Sequence, residues 1–94
     1  MTRTRSRNKF EKTTIKRGYY GFKFTFRDFS SICFTIGAFS LKEVYSLAWK
    51  GFRKLCLPED DVSSKTYFTV AKPDNCPEDK EESFVMYQEK ILRI

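Results

Sequence analysis

Hydrophobic and polar residues alternate over residues 20–26, alternate again over 32–36, and then recur every three to four positions from 41 to 55. A period of two belongs to a strand with one buried face, because successive strand side chains point to opposite sides. A period near 3.6 belongs to a helix with one apolar stripe. In the first strand Tyr20, Phe22, Phe24 and Phe26 share one face, and Tyr19, Lys23, Thr25 and Arg27 share the other. In the second, Ile32, Phe34 and Ile36 point inward while Cys33 and Thr35 point outward. Asp28-Phe29-Ser30-Ser31 between them reads as a hairpin turn, since Asp and Ser side chains bond locally to turn backbone.

The helix begins with a capping box, Ser40-Leu41-Lys42-Glu43, in which the serine takes the amide of Glu43 and the glutamate reaches back to the amide of Ser40. Leu41, Val44, Tyr45, Leu47, Ala48, Gly51, Phe52 and Leu55 then fall on one arc, with Trp49 at its edge. Lys42, Glu43, Ser46, Lys50, Arg53 and Lys54 fill the opposite arc. Pro58 and the acids Glu59, Asp60 and Asp61 end it.

Flanking this centre the pattern thins. Residues 10–17, FEKTTIKR, carry β-branched side chains and read as a strand preceding the other two. Residues 65–71 alternate and supply a candidate edge strand. Residues 72–83 are rich in charge and proline and read as a loop. Residues 84–94 are either a short helix capped by Ser83, with Phe84, Tyr87, Ile91 and Ile94 on one face, or a partly disordered tail with an apolar stripe. The expectation is an α+β protein: a three-stranded antiparallel sheet packed on one amphipathic helix over residues 10–57. A basic flexible arm, 1–9, precedes it, and a weakly structured acidic extension, 58–94, follows.

Charge sharpens this division. The net charge is +6, but thirteen Lys and Arg stand against three acids before Pro58, and five against nine from there on. A basic module suited to a polyanion, followed by an acidic segment, is implied. The alternative is a surface that is basic only because it is solvated. An acidic segment folded over a basic sheet would also mask it.

Catalysis has little support, because the chain has no His, no glycine-rich phosphate loop and no nucleophile motif. Three cysteines, Cys33, Cys56 and Cys76, lack metal-ligand spacing, so neither a metal nor a cofactor is expected. Cys33 beside Lys23 or Arg27 is a candidate reactive thiol, with an ordinary sheet residue as the simpler reading. An odd thiol count and the lack of a long apolar run point to a cytoplasmic protein.

The stronger feature is the outer sheet face. Its charges are positive, and a β-ribbon fits the major groove of duplex DNA, where Lys and Arg reach phosphates or guanine edges. Candidate contacts are Arg3, Arg5, Arg7 and Lys9 from the arm, with Lys16, Arg17, Tyr19, Lys23, Thr25, Arg27 and Thr35 from the sheet. Tyr19 stacking on an unpaired base, in RNA or single strands, is one rival mode. A protein-interaction adaptor acting through residues 58–94 is another.

Residues 22–61 also resemble the arm-type DNA-binding domain at the N-terminus of phage and genomic-island tyrosine recombinases. The resemblance rests on a strand of alternating aromatic and basic residues, a tight turn, the step Ile36-Gly37-Ala38-Phe39, the helix start Ser40-Leu41-Lys42-Glu43 and the stop Leu57-Pro58-Glu59-Asp60. It implies three antiparallel strands packed on a helix, with the sheet in the major groove and Lys23, Thr25, Arg27, Cys33 and Thr35 facing the bases. The usual N-terminal segment is replaced by the basic arm, and no catalytic recombinase domain accompanies it. The function expected is DNA binding alone, by a phage or mobile-element protein.

Overall fold

Two aromatic strands and the helix form where the periodicity places them. The computed structural model describes residues 16–77 and 81–94. Strand β1 (Gly18–Phe26) pairs with β2 (Ser31–Ala38), and helix α1 (Leu41–Lys54) follows. A 3-10 turn at Glu59–Asp61 leads into β3 (Val62–Thr69), and a terminal hairpin supplies β4 (Phe84–Tyr87) and β5 (Lys90–Leu92). All pairings are antiparallel, in the order β3-β1-β2-β4-β5.

The α+β class therefore stands, but the sheet has five strands among the described residues rather than three. The strand beside β1 on the side away from β2 is β3. Lys16 and Arg17 are not in a strand, and the rest of that segment, with the arm residues Arg3, Arg5, Arg7 and Lys9, lies outside the described residues. Residues 84–94 form a hairpin, not a helix, so the segment after Leu57 supplies three strands of the sheet. Gln88 and Glu89 turn it with positive φ, 50° and 65°. The helical spacing of Phe84, Tyr87 and Ile91 was a coincidence of sparse apolar positions. Val85, between Phe84 and Met86, enters the core instead.

The β1–β2 register matches the inward set, pairing Phe22 with Phe34 and Phe24 with Ile32. A one-residue slip would expose every ring, which is why the alternation specifies the pairing. Phe22, Phe24 and Phe34 are fully buried, and Phe24 lies 4.6 Å from Phe52 and 4.9 Å from Trp49, centroid to centroid. Burying each such side chain is worth roughly 1.5–3 kcal/mol, and tilted ring pairs add to that.

The helix start is a capping box with one change. Ser40 Oγ accepts from the amide of Glu43 at 3.2 Å, but the Glu43 carboxylate takes the amide of Phe39, at 2.9 Å, and not that of Ser40. The β1–β2 turn closes on Asp28, whose Oδ1 accepts from both the amide and the hydroxyl of Ser30 at 2.9 and 2.5 Å. These donors hold the Asp28 carboxyl below the usual range. Phe29 in this turn has φ 72° and is 90% exposed.

Candidate nucleic-acid interface

Helix α1 covers one face of the sheet, and the opposite, outer face divides into a covered half and an open half. The strand phase puts Tyr19, Gly21, Lys23 and Thr25 of β1 outward, with Ser31, Cys33, Thr35 and Gly37 of β2 beside them. On the other side of β1, Ser64, Thr66 and Phe68 of β3 also face outward. No carboxylate stands on this face of the three strands.

The covered half follows from topology. Residues 70–83 join β3 to β4 and so must pass β1 and β2. Phe84 and Met86 point away from the helix yet are buried. Asp74, Asn75 and Pro73 gather around Thr35 and Met86, and Asn75 Nδ2 donates to the Glu89 carbonyl at 3.1 Å.

Arg17 belongs to this covered half. Its side chain is buried, with its guanidinium 4.9 Å from the Phe84 ring centre and 5.7 Å from that of Tyr19. It donates to the carbonyls of Glu82 and, at 2.9 Å, Pro77. The cation expected to meet phosphate instead ties the connecting loop to the sheet. Tyr19 is half-buried against Arg17 and Phe84, so its ring does not offer a free stacking surface. Thr35 is half-buried as well.

In the open half Lys23 is exposed at the middle of β1, opposite Cys33 on one side and Thr66 on the other. Thr25 is half-buried beside Ser64 and Ser31. Arg27 is exposed but sits in the turn just past β1, its amide bonded to the Asp61 carbonyl at 2.9 Å. Lys16 is exposed at the start of the described chain. Desolvation pushes the Cys33 thiol up, and the neighbouring Lys23 and a backbone hydrogen bond offset this only in part. Burial thus works against thiolate formation at Cys33. Phe84 is buried too, so of the apolar stripe proposed for a protein partner only Ile91 and Ile94 remain exposed.

A second basic surface escaped the sequence reading. Along the seam between α1 and β3, Tyr45 and Tyr67 meet edge to face at 5.9 Å, both about two-fifths exposed. One helical turn on, the Trp49 ring carries Arg53 at 5.7 Å and Lys65 at 5.5 Å. Lys42 and Lys50 stand exposed on the adjoining helix surface, while Glu59 pairs with Arg53 at 3.2 Å. The helical half of this seam was visible as a basic arc, but its union with Lys65 and Tyr67 depends on β3 pairing with β1.

Among the described residues no helix is long and apolar enough to cross a membrane. No family model, curated protein or solved structure matches the chain.

Proposed function

We propose that this is a non-catalytic nucleic-acid-binding protein that holds duplex DNA against the open half of its outer sheet face. The observation that carries the reading is Lys23, exposed among Thr25, Cys33, Ser64 and Thr66 on a strand surface without a carboxylate. Small hydroxyl-bearing side chains let a backbone approach closely, and a central cation gives it a phosphate or base-edge contact. Arg27 and Lys16 extend the contact at the two ends of β1, and the basic arm adds to it. The mode, sheet against groove, is the one the arm-type resemblance implies, and a phage or mobile-element role comes with that resemblance as part of the proposal.

Fluorescence anisotropy with a labelled duplex over a range of salt tests it. Each lost phosphate contact lowers the log-log salt slope by about 0.9. Lys23→Ala is expected to weaken duplex binding and flatten the slope by about that amount, with an unchanged unfolding midpoint. No binding to duplex at low salt ends the proposal.

The seam of Tyr45, Tyr67 and Trp49 favours a second reading, binding of RNA or single strands by stacking. Base stacking on an aromatic ring contributes roughly 1–3 kcal/mol. Tyr67→Ala lowering single-strand affinity without changing duplex affinity would support that mode; preference for duplex in direct competition counts against it.

A further inference from the structure

Among the described residues the β3 edge of the sheet is long, without a pairing strand, and exposed on both faces. β3 is the terminal strand in the sheet order, and residues 63–69 are all exposed. The amide of Val70 donates to the Tyr19 carbonyl at 3.0 Å, which sets the phase of the β1–β3 ladder. Gly21/Phe68, Lys23/Thr66 and Thr25/Ser64 are then the hydrogen-bonded pairs. The backbone groups of Lys65, Tyr67 and Thr69 consequently point outward, toward the open edge, whereas Ser63 lies at the bulge and its hydroxyl donates to the Thr25 carbonyl. Tyr67 and Phe68, on opposite faces of the strand, are 40% and 47% exposed.

We propose that a second copy of this chain pairs with that edge, β3 against β3 and antiparallel about a two-fold axis through Thr66, joining the two sheets into one. This register sets Lys65 opposite the partner's Tyr67, and Tyr67 opposite the partner's Lys65, so the two central outward residues of each strand find hydrogen-bond partners. Thr66 meets the partner's Thr66, a favourable cross-strand pair. Both exposed rings gain cover.

Charge selects the orientation and disfavours an axis at Lys65. The chain is acidic just before β3, at Glu59, Asp60 and Asp61, and carries Lys72 just after it. Antiparallel pairing lays the acidic end of each strand beside the basic end of the other, whereas parallel pairing sets like charges together. Moving the axis one residue, to Lys65, would place two lysines face to face.

Edge strands commonly avoid such pairing with proline, charge or bulges. β3 has no proline, and its bulge lies at the start, between the pairs Thr25/Ser64 and Phe26/Val62. Its one charge, Lys65, is already drawn over Trp49 at 5.5 Å and so leaves the strand edge clear. The inference does not depend on nucleic-acid binding, although the pairing would bring two copies of Lys23 onto one continuous face.

Sedimentation velocity on the full chain, up to millimolar concentration, provides the test. The expected result is a concentration-dependent dimer that Thr66→Glu weakens by about tenfold or more, because like charges then meet on the axis. In a background with Cys33, Cys56 and Cys76 changed to Ser, Thr66→Cys should cross-link to a covalent dimer under mild oxidation, since only residue 66 faces itself. Ser64→Cys in the same background should not. A wild-type chain that stays monomeric overturns the proposal. So does a dimer that Thr66→Glu leaves intact, or one that Ser64→Cys cross-links in preference to Thr66→Cys.

Discussion

The ring of Phe84 lies directly over Gly37, so close that a Cβ at position 37 would come within 2.4 Å of Cε2. Phe68 lies over Gly21 in the same way, also at 2.4 Å. The two notches differ in what lies above the ring. Phe84 is 5% exposed and held by Arg17, whereas Phe68 is open to solvent and can turn aside. Gly37→Ala is expected to cost about 1–3 kcal/mol, the usual range for overpacking, and Gly21→Ala clearly less. Urea unfolding of the two variants compares them, and equal losses would show that Phe68 is as fixed as Phe84.

Arg17 should matter for stability. Arg17→Ala removes charge-assisted hydrogen bonds to two loop carbonyls, each typically worth about 1.5–3 kcal/mol, and uncovers the Phe84 ring. Arg17→Lys should rescue only part of the loss, since an ammonium cannot replace the planar fork of donors. Hydrogen exchange would show the loss as faster exchange of the β4–β5 hairpin, with β1 and β2 largely unchanged.

Phe24 should be the most costly ring to truncate. It is fully buried and packs on Phe22, Phe34, Trp49 and Phe52. Phe24→Ala is expected to lose about 3–5 kcal/mol. Trp49 is the only tryptophan and touches Phe24 directly, so its fluorescence should shift in the folded variant and report the unfolding midpoint.

The turn residue Phe29 runs the other way. Its φ of 72° is unfavourable for a bulky side chain, and its ring buries nothing to offset the strain. Phe29→Gly should stabilise the fold by up to about 1 kcal/mol, the left-handed penalty less the added freedom of the unfolded glycine. A midpoint that falls on substitution would mean that the ring has a partner.

Cys33 gives a pH signature. Burial favours the neutral thiol, so alkylation of Cys33 should rise with pH through a midpoint above that of a free thiol. A group whose pKa is raised by folding contributes stability below its unfolded pKa and loses it as pH climbs through the folded one. Lys23→Ala removes the cation that lowers this pKa and should move the alkylation midpoint further up.

The alternation of Tyr20 to Phe26 and of Ile32 to Ile36, with the capped 3.6-residue stripe from Leu41, determined the β1–β2–α1 unit by itself. Each element there buries one face against its sequence neighbour, so local period and a short turn suffice. The outward placement of Lys23, Thr25 and Cys33 came with it, because strand phase is a local property. Tertiary structure decided what lies beside and above that unit. Residues 65–71 alternate well enough to be read as a strand, but no local signal states that β3 pairs with β1 on the side away from β2. The same holds for Arg17, whose charge looked available until the long link from β3 to β4 laid the carbonyls of Pro77 and Glu82 against it. It holds too for Lys65 and Trp49, brought together from a strand and a helix. Pairing between distant segments depends on chain crossings and shared burial, which residue periodicity does not encode.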